Sequence, residues 1–135
     1  MTHLHNLSTQ AIKIRQAFGF TQIDVAGMAN VSAKSVVYFE QAKATVETQS
    51  VSKILSVLGI ESPLITNPAL RGETVRQTRK QMGMTLEDVA GMTHTSSKYL
   101  SAVENGKENL RIGQLIALLN ALGINPLASN SELTQ

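Results

Sequence analysis

Apolar residues recur at helical spacing along the chain, and nowhere do β-branched residues alternate over the length of a strand. Leu115, Leu118, Leu119 and Leu122 form a broad apolar stripe that predicts a helix over "IGQLIALLNAL". Val51, Ile54, Leu55 and Leu58 repeat that stripe in "ETQSVSKILSVL". Ala11, Ile14 and Phe18 share one face of "STQAIKIRQAF", a helix expected to stop at Gly19, and "ETVRQTRKQM" before Gly83 is its counterpart. After each of these come two shorter helices. "QIDVAGMA" and "AKSVVYFEQ" stand behind Thr21 and Ser32; "LEDVAGMT" and "SKYLSAVEN" stand behind Thr85 and Ser96. Hydroxyl side chains at those positions accept hydrogen bonds from the free amides of a first helical turn, and Asp24 completes a capping box with Thr21. Val36 with Phe39, and Leu100 with Val103, mark an inner face; Met28 and Met92 read as core filling. The prediction is an all-α chain.

The two halves are one phrase written twice. At an offset of 64, residues 15–60 and 79–124 agree at 16 of 46 ungapped positions, where composition alone gives about three. Such self-similarity means two copies of a supersecondary unit. Each unit has about 60 residues, near the lower limit for an independent core. The expected organisation is a first unit over residues 1–62, a linker over 63–70 and a second unit over 71–135. Pro63 and Pro68 in "ESPLITNPALR" suit an extended linker. "NPLASN" closes the second unit in a similar way, so a short extended or β segment is expected after each, with "SELTQ" frayed at the end.

Composition narrows the function classes. The net charge is +2, divided evenly between the halves, which permits nucleic-acid binding without arguing for it. There is no Cys, hence no disulfide and no thiolate metal site. No apolar run approaches the ~18–20 residues of a membrane span, and "MTHLHNLST" lacks the regions of a signal peptide. His3 and His5 could pair as metal ligands, but a mobile uncoordinated tail is the simpler reading. No zinc spacing, no phosphate-binding glycine loop and no nucleophile with a recognisable base is present, so neither enzyme activity nor a cofactor or metal is expected.

Two short capped helices joined by a tight turn describe a helix-turn-helix. On these residues the sequence resembles the Cro/repressor-type (Xre-like) DNA-binding family, and through "FEQAKATVETQSVSKILSVLGIE" and "AVENGKENLRIGQLIALLNALGI" its HipB-type antitoxins. The resemblance implies two lambda-repressor-like helix-turn-helix bundles in tandem. Ala26 and Ala90 would sit at the crowded crossing of the two helices. Asn30 and His94 stand where the family usually has Gly, and both tolerate a left-handed backbone better than most residues. Arg15 with Glu40, and Arg79 with Glu104, match an ion pair that in this family holds the recognition helix. HipB-type antitoxins are homodimers with one helix-turn-helix per chain, so this chain would be a covalent pseudo-dimer.

The resemblance also implies which residues touch DNA. Ala33, Lys34 and Tyr38 match base-facing positions in the first unit, as do Ser97, Lys98 and Ala102 in the second. Lys34 and Lys98 suit guanine O6 and N7; Tyr38 suits base contact and packing equally. Gln22 matches a phosphate-binding Gln, replaced by Leu86 in the second unit. Asn105 and Lys107 match a phosphate-binding loop, in which Ala42 replaces the usual Gly of the first unit. Ser32, Ser35, Lys43, Ser96 and Tyr99 complete the candidate DNA-binding set. Implied partners are an operator in double-stranded DNA, a cognate toxin and a second copy of the chain, in the cytoplasm of a bacterial or phage-infected cell. A protein-binding adaptor that kept the fold and lost the DNA site is the alternative.

Overall fold

The computed structural model describes residues 3–107 and 109–133. Among them the chain forms ten helices and no sheet: α1 His3–Ala17, α2 Gln22–Ala29, α3 Ala33–Glu40, α4 Thr48–Leu58, α5 Pro63–Thr66, α6 Pro68–Gln81, α7 Leu86–Thr93, α8 Ser97–Glu104, α9 Ile112–Ala121 and α10 Asn130–Leu133. The pairs α2–α3 and α7–α8 begin and end at positions related by the 64-residue offset.

Their ends follow from cap chemistry. Thr21 Oγ1 accepts from the Asp24 amide at 3.0 Å while Asp24 Oδ2 accepts from the Thr21 amide at 2.8 Å, and Thr85 and Asp88 repeat both bonds. Donation from the Thr85 amide, and after it the Thr85 hydroxyl, holds the Asp88 carboxyl below the usual carboxylate range. Asn30 and His94 close α2 and α7 with φ of 55° and 57°, the left-handed backbone expected of them.

Four expectations are corrected. The segment after the first unit is not extended: Pro63 and Pro68 each start a helix, a position where the missing N–H is no loss and the fixed φ helps. Asn67 Oδ1 caps α6 by accepting from the Leu70 amide. Likewise no β segment follows the second unit; α10 includes part of "SELTQ", with the Asn130 amide donating to Glu61 Oε1, whereas residues 134–135 lie outside the described residues. The N-terminal residues from His3 onward are helical, because Leu4 and Leu7 extend the apolar face of α1 into the core. Finally, Phe18, Met28 and Met92 are exposed rather than core residues. Phe18 falls just past the end of α1 and rests against Phe20, with ring centroids 5.6 Å apart. In α2 the buried positions are Val25, Ala26 and Ala29, which leaves Met28 off that face.

One apolar core runs through both halves. Phe39, Leu55, Leu100, Leu115 and Leu119 are fully buried in the same cluster, so two units too small for a secure core apiece share one. Their backbones also meet. The Thr48 amide donates to the Leu110 carbonyl at 2.8 Å and the Ile112 amide to the Val46 carbonyl at 2.7 Å, either side of an antiparallel bridge between Glu47 and Arg111. Each bond is the other's equivalent under the 64-residue offset, and Glu47 faces its own counterpart. That reciprocity, in which i meets j and j meets i, belongs to two-fold contacts. Gly113 lies so near that a Cβ there would come within 2.5 Å of Ala44 Cβ.

The loop after α3 carries a cost that its twin avoids. Ala42 has φ of 58°, while Gly106 at the equivalent place has φ of 69°. A Cβ in left-handed backbone costs about 1–2 kcal/mol, and glycine returns part of that through its freer unfolded chain. Ala42→Gly is therefore expected to stabilise the protein by about 0.5–1 kcal/mol in urea unfolding. A neutral or destabilising result would refute the strain.

Candidate nucleic-acid interface

A recognition helix must be held at a fixed angle before its side chains can read anything. The inner faces of α3 and α8 do part of this, with Val36, Phe39, Leu100 and Val103 all buried; Ala26 and Ala90 are buried beside them. Ion pairs do the rest. Arg15 Nε and Nη2 grip the Glu40 carboxylate at 2.6 and 2.9 Å, and Arg79 grips Glu104 at 2.7 and 3.0 Å. A third bond from each arginine reaches the Phe20 or Met84 carbonyl. Planar forks of this kind fix direction as well as charge. The bond to Glu104 raises the Arg79 pKa above its ordinary value. Arg76 Nε adds a second cation 3.6 Å from Glu104.

The candidate reading residues lie on the surface of this frame. Ser32 Oγ caps α3 by accepting from the Ser35 amide at 3.0 Å and lies 2.9 Å from Ser35 Oγ; Ser96 caps α8 through the Tyr99 amide at 3.1 Å. Both helix starts thus present amides and the positive end of a dipole. Ala33 and Lys34 are exposed in the first turn of α3. In α8, Ser97 is half-buried and Lys98 exposed. Tyr38 is half-buried against the core with two ammonium groups on its ring, Lys34 Nζ at 5.2 Å and Lys43 Nζ at 4.0 Å from the centroid. This is the packing reading of Tyr38, and it gathers two cations beside one helix. Ala102 occupies the equivalent place in α8, half-buried and without a ring.

Flanking residues divide. Lys107 and Asn105 are exposed after α8, and Asn105 Oδ1 accepts from Arg76 Nη2 at 3.4 Å. Gln22 turns inward instead, its amide nitrogen donating to Glu40 Oε1 at 2.9 Å. Leu86 at the equivalent position packs on the core. Tyr99 lines a cleft of about 610 Å³ with Met92, His94, Gln114 and Leu118.

Arg111 went unnoticed in the sequence. It lies beyond α8 in the chain, yet lines a cleft of about 440 Å³ with Ser32, Lys34, Ser35 and Tyr38, and its Nη1 donates to the Thr45 carbonyl at 3.1 Å. The one legible signal was a charge reversal, Arg111 standing where the first copy has Glu47.

Among the described residues no group of His, Asp or Glu could hold a metal, and no helix is long and apolar enough to cross a membrane. Residues 72–128 match the family described as a helix-turn-helix domain. Over those residues the chain is similar to a helix-turn-helix domain of Cro/Xre type, a class of domain found in DNA-binding transcription regulators. That match lies within the second copy of the repeat. No curated protein and no solved structure matches the chain.

Proposed function

We propose that the protein is a sequence-specific double-stranded DNA-binding regulator, built as two helix-turn-helix bundles in tandem, that represses its own promoter by occupying an operator. The observation that supports this reading is the reciprocal pair of backbone bonds around Glu47 and Arg111, the pattern expected where two copies meet about a two-fold axis. A two-fold duplex site is read by two recognition helices about one turn apart, and a homodimer normally supplies them. Here the first copy differs from the second at several reading positions, Tyr38 against Ala102 and Ser35 against Tyr99, so the preferred operator is non-palindromic. The resemblance to HipB-type antitoxins supports a further role, neutralising a co-encoded toxin in a bacterial or phage setting. The adaptor reading is favoured by Gln22, whose amide nitrogen is spent on Glu40, and by Leu86, which has no polar group for a phosphate.

The test is a titration against duplex DNA from immediately upstream of the gene, with random duplex of equal length as control, at two salt concentrations. Preference for the upstream fragment, weakening steeply with salt, supports the repressor. Equal weak binding to both fragments turns the reading to the adaptor. On the preferred duplex, Lys34→Ala is expected to relax specificity in one half-site and Lys98→Ala in the other, each costing about 1–3 kcal/mol. Uniform weakening on every sequence would make them phosphate contacts instead.

A further inference from the structure

Arg71 in α6 is 4% exposed, and its counterpart in the first copy is the apolar Leu7. Its Nη1 donates to the Leu64 and Ile65 carbonyls, both at 3.2 Å, and no ion pair joins it to a carboxylate among the described residues. Burial pushes its pKa down. A guanidinium taken out of water against neutral partners alone is costly, and buried cations are normally paired.

Arg71 lines a cleft of about 530 Å³ together with Thr48, Gln49, Lys53, Lys107 and Asn109. Thr48 is 3% exposed, and its Oγ1 is a buried side-chain oxygen without a hydrogen-bond partner. It opens α4, whose N-cap residue Glu47 makes no side-chain cap bond. Three cations thus line one cleft beside a helix start that has no side-chain cap. No described lining residue is acidic; Glu108, next to Lys107 in sequence, lies outside the described residues.

The repeat supplies an internal control. The equivalent cleft on the other side has Ile116 and Ala117 where this one has Ser52 and Lys53, and Leu4 where this one has Pro68. The fold alone therefore does not require a charged lining here.

We propose that this cleft binds an oxyanion of the phosphate-ester class, with Arg71, Lys53 and Lys107 opposing its charge. Phosphate of a free metabolite and phosphate of a DNA backbone share this chemistry, and Lys107 follows recognition helix α8, so either can be the source.

The full chain is melted in inorganic phosphate and in chloride at matched ionic strength, without DNA, so that the result does not depend on the regulator reading. The expected outcome is a saturable Tm rise of about 3–6 °C at roughly tenfold excess over the half-point. The Lys53→Gln/Lys107→Gln double variant changes exposed side chains, and it is expected to keep its Tm in chloride and lose the rise. Arg71→Met is the stricter variant, read only if its chloride melt stays cooperative. With duplex added, phosphate that displaces DNA identifies the backbone as the source, and phosphate that stabilises the complex identifies a free compound. No rise, an unsaturable rise, or a saturable rise kept by the double variant overturns the proposal. So does a rise seen only in Glu108→Gln, which would make that carboxylate the internal counter-ion.

Discussion

Glu104→Ala is expected to lower folding stability by about 2–4 kcal/mol, the largest loss from any single ion-pair deletion in this chain. The Glu104 side chain is 5% exposed and takes both arms of Arg79, itself 14% exposed, with Arg76 3.6 Å away. Truncating it leaves Arg79 facing a cavity with no anion, and Arg76 with only the exposed Glu73 at 3.7 Å. The range sits slightly below the ~3–5 kcal/mol of a fully buried pair because Arg79 still meets some solvent. Glu40→Ala should cost less: its arginine is alone, and Gln22 is neutral. Urea unfolding of both variants measures the difference, and Glu104→Ala losing under about 1 kcal/mol would show the pair to be ornamental. A double-mutant cycle with Arg79→Ala isolates the coupling. Because Glu104 is the last residue of α8, the same variant should loosen that helix and, on the proposed reading, weaken the Lys98 half-site more than the Lys34 half-site.

Gly72→Ala is expected to destabilise by about 2–3 kcal/mol, although it adds one methyl group and improves helix propensity. A Cβ at Gly72 would lie 2.5 Å from the Glu104 carbonyl oxygen and 2.6 Å from that of Val103. Both atoms are backbone, so no rotamer change relieves the clash; α6 and α8 must part. In the first copy the equivalent residue is Ser8, 2% exposed, whose hydroxyl donates to the His5 carbonyl at 3.0 Å. There the crossing already holds a side chain, and Ser8→Ala should cost within about 1 kcal/mol. Thermal melts of the two variants side by side decide the matter. Similar small losses would mean that α6 shifts freely against α8.

Much of the candidate site was legible because it is local. Caps depend on residues three apart, and Thr21, Ser32, Thr85 and Ser96 placed α2, α3, α7 and α8 at their observed starts. Asn30 and His94 fell at left-handed turns for the same reason. What misled was reading local preference without neighbours. Proline discourages a helix interior but suits a helix start, so Pro63 and Pro68 begin α5 and α6 where an extended linker was expected. Met28 and Met92 are apolar and helical, yet the α2 and α7 faces that bury Val25 and Val89 leave them outside.

By itself, then, the sequence determined an all-α chain, a repeated pair of capped helices and the cations at their starts, since each follows from spacing within one helix or one turn. Tertiary structure alone decided the fused core, the meeting of Glu47 with Arg111, the engagement of Gln22 by Glu40 and the cleft around Arg71. These join residues 18 or more positions apart, and whether such groups meet depends on how helices cross, which no local pattern encodes.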